Sequence, residues 1–140
     1  MFDLKDAALR AAIALPADAG SVYSDPIDLG NGPAGMVPDG LEIELTAPAL
    51  DGTQLPAGQT AAYYLEQADD AAFSSPEAIL GAIIVQTGAE TVGGAEAAAW
   101  RSRLPASMKR FLRLKVTTAD VGEGHVGNCS AAEAVLQMYL

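Results

Sequence analysis

Between Leu104 and Thr118 the chain reads L-P-A-S-M-K-R-F-L-R-L-K-V-T-T, and its second half alternates strictly. Leu112, Leu114 and Val116 fall on one side, and Phe111, Arg113, Lys115 and Thr117 on the other. Side chains of a strand point to opposite faces with period 2, so this pattern predicts a strand with one buried and one open face. Pro105 and Ser107 mark the turn that delivers it. The fifteen residues from Arg101 to Lys115 hold the positive charge. Arg101, Arg103, Lys109, Arg110, Arg113 and Lys115 are six of the eight basic residues, and none lies between Pro16 and Trp100. The expectation is one basic ridge set into an acidic body.

That body has a net charge of −10 over 140 residues and a pI near 4.2. Phosphate neutralisation needs a broad basic face, so nucleic acid is excluded as a partner, and an anionic membrane surface with it. No apolar run approaches the ~20 residues that a membrane span needs. The start, M-F-D-L-K-D-A-A-L-R, carries acids and no cleavage signature, which argues against a signal peptide. The one cysteine, Cys129, leaves no partner for an internal disulfide.

Other segments repeat the strand signal. Leu41–Leu45 (L-E-I-E-L) alternates, with Glu42 and Glu44 outward as a solvated or ion-paired face. Val22–Leu29 is an edge strand interrupted by Pro26. Gln59–Gln67 reads as a central strand. Ile79–Thr87 is continuous and β-branched, as for a strand covered on both faces. Ala97–Leu104 precedes the basic strand, and Ala131–Leu140 patterns as helix or strand, with strand the better fit to the spacing of turns. Met1–Leu15 reads as a short helix or an extended arm ended by Pro16, ahead of one domain over 16–140. Short strands with a turn every 8–15 residues indicate an all-β sandwich or barrel.

Catalytic chemistry finds little support. G-N-G-P-A-G lacks the Lys and helix start of a phosphate cradle. Asp69 and Asp70 lack the further oxygen ligands of a calcium loop, and loop capping explains them better. His125 and Cys129 are the chain's only His and Cys, too few for zinc, and a dyad would need a third orienting group. The reading is of a non-enzyme without cofactor or metal.

Four segments in consistent order carry a resemblance: I-D-L-G (Ile27–Gly30), L-E-I-E-L, Y-Y-L-E-Q-A-D-D-A-A-F-S-S-P (Tyr63–Pro76) and L-P-A-S-M-K-R-F-L-R-L (Leu104–Leu114). Across about residues 20–118 the chain resembles the small capsid cement, or decoration, proteins of tailed bacteriophages, the family typified by the cement protein of a Bordetella podophage. The resemblance implies a jelly-roll β-sandwich, made in the bacterial cytoplasm and carried on the outside of the virion. It further implies a homo-dimer or homo-trimer that clamps major capsid protein subunits. In such an oligomer Arg101, Arg103, Arg113 and Lys115 would face Glu42, Glu44 or Asp28 of the next subunit. Exposed ion pairs contribute only ~0–1 kcal/mol each, so apolar anchors are needed, and Phe2, Leu4, Phe111 and Tyr139 are the candidates. Ordinary core or rim packing is the competing role for each of the four. A carbohydrate- or surface-binding β-sandwich module is the alternative function, weakened by the few aromatic residues available as platforms.

Overall fold

The computed structural model describes residues 5–29, 42–103 and 109–139. Ten strands occur in them: β1 (Lys5–Ala14), β2 (Gly20–Tyr23), β3 (Ile27–Asp28), β4 (Glu42–Ala47), β5 (Thr60–Ala68), β6 (Glu77–Ala78), β7 (Ile84–Thr87), β8 (Ala98–Arg103), β9 (Phe111–Ala119) and β10 (Glu133–Tyr139). All pairings are antiparallel. The chain behaves as one long hairpin with its midpoint after β5. β1 pairs with β10, β2 and β3 with β9, β4 with β8, and β5 with β6 and β7. Two further ladders, β10 with β4 and β9 with β5, roll this hairpin into two sheets. One sheet has the order β1-β10-β4-β8; the other is β2/β3-β9-β5-β6/β7. That is a jelly-roll sandwich.

The alternating segments explain the interior. β9 buries Leu112, Leu114 and Val116 and turns Phe111, Arg113, Lys115 and Thr117 outward. β4 does the same with Ile43 and Leu45, and β5 with Ala61, Tyr63 and Leu65. Leu136 and Met138 complete the inner face of the first sheet. Such inward positions from two sheets form one apolar layer, the dominant favourable term in a sandwich. A polar clamp crosses it. Tyr63 Oη donates to Gln86 Oε1 at 2.6 Å, and Gln86 Nε2 donates to the carbonyls of Pro48 (2.7 Å) and Glu96 (3.1 Å). A residue of β7 thereby ties its own sheet to the loops at the ends of β4 and β8.

The loops at one end are packed backbone to backbone. A Cβ on Gly127 would lie 1.9 Å from the Thr53 carbonyl oxygen, and one on Gly88 2.0 Å from that of Pro56. Only glycine permits these approaches. Gln59 adds a side-chain ladder, accepting from Val121 N (2.6 Å) and donating to Val121 O (3.0 Å).

Of the two readings of the N-terminal segment the extended one holds: Lys5–Ala14 is a strand of its own domain, with register running from Arg10↔Gln137 to Ala14↔Glu133 after a shift between Lys5 and Arg10. The open edge of β10 offers these residues backbone partners, which outweigh the helical spacing of Leu9 and Ile13. Two other expectations change. Ile79–Thr87 forms a strand only over Ile84–Thr87, at a sheet edge where no described element covers the outer face, so Val85 is 55% exposed rather than covered. The basic ridge is also divided. β8 belongs to the first sheet and β9 to the second, so Arg101 and Arg103 point away from Arg113 and Lys115.

Candidate functional site

On the outer face of the first sheet, β8 and β4 lie side by side with Arg103 opposite Glu42 and Arg101 opposite Glu44. Arg101 reaches diagonally: its Nε donates to Glu42 Oε2 at 2.7 Å, and its guanidinium lies 4.2 Å from the centre of the Tyr139 ring. Tyr139 Oη donates to Glu44 Oε1 at 3.1 Å. Four of the candidate contact residues, Glu42, Glu44, Arg101 and Tyr139, therefore form one network within the chain. Its ion pair stays wet, with both side chains about one-third exposed (35% and 34%).

The outer face of the second sheet is built differently. Arg113 stands opposite Glu66 of β5, and Arg113 Nη2 lies 2.7 Å from Glu66 Oε1 with side-chain exposures of only 17% and 12%. The guanidinium is held between two rings, 4.1 Å from the centre of Tyr23 and 4.2 Å from that of Phe73. A planar delocalised cation suits this stacking where an ammonium would not. Phe73 reaches it from the loop after β5 with a φ of 52°, a left-handed conformation uncommon for a bulky residue. Asp70 folds that loop, its carboxylate accepting from the Ser74 hydroxyl at 2.7 Å and its carbonyl from Phe73 N at 3.1 Å. This is the capping role expected of an aspartate there.

One row along β9, Lys115 is paired directly with Tyr23 on one side and Tyr64 on the other. Its Nζ lies 5.9 Å and 5.4 Å from the two ring centres. Among the described residues Lys115 makes no ion pair. The next row is uncharged: Ser21, Thr117, Ala62 and Val85. At the far end of β9, Arg110 grips Asp28 with two hydrogen bonds of 2.9 and 2.8 Å and lies 4.9 Å from the Phe111 ring. Lys109 bridges Glu77 at 3.0 Å and Asp69 at 3.6 Å. The carboxylates of Glu42 and Asp28, expected to face another subunit, thus meet arginines of their own chain. Phe2 and Leu4 lie outside the described residues.

His125 and Cys129 lie in unlike settings. His125 Nδ1 meets Asp120 Oδ2 at 2.9 Å on the surface, where the imidazole is 82% exposed. The hydrogen bond and charge of Asp120 raise the His125 pKa, and the same bond lowers that of Asp120. Cys129 is buried, with its Sγ donating to the Gln54 carbonyl at 3.4 Å, and burial pushes its thiol pKa up. That disfavours the thiolate a nucleophile needs. No group of three His, Cys, Asp or Glu side chains able to hold a metal occurs among the described residues. A cleft of about 730 Å³ opens between the free edges of β7 and β8, lined by Leu50, Val85, Gly93, Gly94, Ala97 and Ala98 among others. The Gln86 side chain at this cleft is already bonded to Tyr63, Pro48 and Glu96.

No family model and no curated protein matches the chain. Among solved structures it is similar to the cleaved adhesin domain of Lys-gingipain from Porphyromonas gingivalis, at 15% identity and a TM-score of 0.37, over 99% of this chain and 97% of that one. A likeness at that level carries no functional argument.

Proposed function

We propose that the chain is a non-enzymatic capsid cement protein. It binds the outside of a phage shell and stabilises contacts between major capsid protein subunits, acting as a homo-dimer or homo-trimer. The observation that carries this reading is the jelly-roll strand order, the architecture that the four-segment resemblance implies. The described parts of those segments fall on β3, β4, β5 with its following loop, and β9, so they map onto framework strands of both sheets. The outer face of the second sheet carries Tyr23, Tyr64 and Arg113, residue types enriched in interface hot spots, whereas Tyr139 on the first sheet is buried at 6%.

Attachment of this kind acts by mass action: a ligand that binds only the assembled shell stabilises it by RT ln(1 + [L]/Kd). Many copies on one shell add avidity to modest single contacts. The direct test is co-sedimentation of the purified chain with expanded, DNA-free shells of the phage that encodes it, followed by thermal disruption of the shells. Saturable binding and a raised disruption temperature are expected. A chain that stays in the supernatant at micromolar concentration contradicts the proposal.

One observation favours a second reading, a carbohydrate- or surface-binding module: Tyr23 is 44% exposed and Tyr64 stands two strands away in the same row. Glycan-array binding without shell binding would select it.

A further inference from the structure

The outermost strand of a sheet carries a row of backbone donors and acceptors that its own sheet does not answer, and short or bulged edges keep such rows from pairing with other chains. Most of the described edges here are short or irregular. In the second sheet β2 and β7 run four residues and β3 and β6 two, while β1 of the first sheet shifts register between Lys5 and Arg10. β8 is different. It runs in unbroken register against β4 from Ala98 to Arg103, contains no proline, and pairs with no other described strand. We propose that the free edge of β8 takes an added strand, an extended segment of a partner protein in which acidic and apolar residues alternate. This does not depend on the capsid reading, since the chemistry of the edge is the same whichever protein supplies the strand.

Hydrogen-bonded and non-hydrogen-bonded pairs alternate along an antiparallel ladder. Leu50 and Ala95 exchange both of their backbone bonds at 2.9 Å, in the register that continues to Ala47↔Ala98. Counting by twos from Ala95, the amides and carbonyls of Ala99, Arg101 and Arg103 turn toward β4, and those of Ala98, Trp100 and Ser102 turn away from it. The Glu96 carbonyl, in phase with the second set, accordingly meets Gln86 Nε2 of β7 at 3.1 Å. Past Glu96 the groups of Ala98, Trp100 and Ser102 form a row with no backbone partner among the described residues. The cleft of about 730 Å³ lies at the start of this row, where Ala97 and Ala98 line it with side chains small enough for another backbone to approach.

The side chains of β8 select the strand that fits. Outward it presents Ala99, Arg101 and Arg103; inward Ala98, Trp100 and Ser102 are only half-buried. On its paired edge β8 already meets a strand of the proposed kind, with Glu42 opposite Arg103, Glu44 opposite Arg101, and Ile43 and Leu45 buried between and beyond them. An added strand with carboxylates outward repeats that match on the other flank. Its apolar residues then extend the inner layer over Trp100, which packs against the core without being enclosed by it. Opposite charges across a ladder stabilise it and like charges oppose it, so a basic segment fits poorly. A second copy of β8 holds only alanine and arginine at its outward positions, and so brings no carboxylate. In this mode of recognition the main-chain bonds supply affinity and the alternate side chains specificity.

The test titrates the full chain with two blocked peptides, T-E-V-E-V-E-T and T-K-V-K-V-K-T, following the emission of Trp100, the chain's one tryptophan, and amide hydrogen exchange. The acidic peptide is expected to shift the emission with a Kd below about 1 mM and to slow exchange at Ala98, Trp100 and Ser102. The basic peptide should bind about tenfold more weakly or worse. Ser102→Pro removes a free-edge donor while leaving the bonds to β4 in place, and should weaken the acidic peptide about tenfold or more. Arg103→Gln should weaken it about threefold, and urea denaturation checks that both variants fold. No emission shift at about 1 mM acidic peptide, equal binding of the two peptides, or a folded S102P that binds as wild type does would each overturn the proposal. If S102P does not fold, exchange in wild type decides: a saturating acidic peptide that leaves the three amides unprotected places binding elsewhere. A chain that is a dimer by light scattering, with those amides protected before any peptide is added, assigns the edge to a second copy and likewise overturns it.

Discussion

Arg101 and Arg113 are the same residue type on consecutive strands, each facing outward, each beside a glutamate and an aromatic ring. Their settings nevertheless differ. Arg101 and Glu42 are each about one-third exposed, and Arg101 lies on β8, the edge strand of its sheet. Arg113 and Glu66 sit on the two central strands of theirs, at 17% and 12%, beneath Tyr23 and Phe73. Water weakens the first pair and is largely kept from the second, so nearly equal distances carry unequal energies. Identical chemistry thus becomes surface decoration in one place and framework in the other.

Substitutions rank the two faces. Arg113→Ala is expected to have the largest effect, about 2–4 kcal/mol in urea denaturation, because it strands the poorly hydrated Glu66 carboxylate and empties the slot between two rings. A cost under 1 kcal/mol would erase the distinction. Arg101→Ala should cost less, up to about 1 kcal/mol, with part of that from lost packing on Tyr139. Lys115→Gln should change stability by no more than about 0.5 kcal/mol, since no described carboxylate pairs with it and its ring contacts are long, at 5.9 and 5.4 Å; a large loss of stability would make it a framework residue instead.

The smallest effect is a pH dependence. Asp120 raises the His125 pKa above 6.5, so this pair contributes stability that is fully present below about pH 6.5 and is lost as pH rises through the higher folded value. Asp120, whose pKa is lowered from 3.8, loses its contribution as pH falls through its folded value. His125→Ala should flatten the slope of unfolding free energy just above pH 6.5. An unchanged slope there would show that another group titrates.

The strands were legible wherever one face is buried and the other open. L-E-I-E-L and F-L-R-L-K-V-T-T became β4 and β9 because alternation marks both their state and their outward side chains. Alternation is silent about which sheet a strand joins, so Arg101 and Lys115, fourteen positions apart in sequence, looked like one ridge. It is silent about pairing as well. Glu66, Tyr64 and Tyr23 share a face with Arg113 and Lys115 only because β5 and β2 flank β9. The periodic signal was present in β5, where Tyr64 and Glu66 alternate with buried Tyr63 and Leu65, but it could not name the neighbour. Lys5–Ala14 stayed ambiguous between helix and extended arm for a related reason: its Ala-rich composition suits a helix, and the edge of β10, distant in sequence, decides for the strand.

The most direct measurement is a pair of double-mutant cycles read in one urea assay: Arg113→Ala with Glu66→Gln, and Arg101→Ala with Glu42→Gln. The first cycle is expected to give a coupling of about 1.5–3 kcal/mol, as for a shielded charged hydrogen bond. The second should give less than about 1 kcal/mol, as for an exposed pair. Equal couplings would contradict the division of the two faces into framework and decoration.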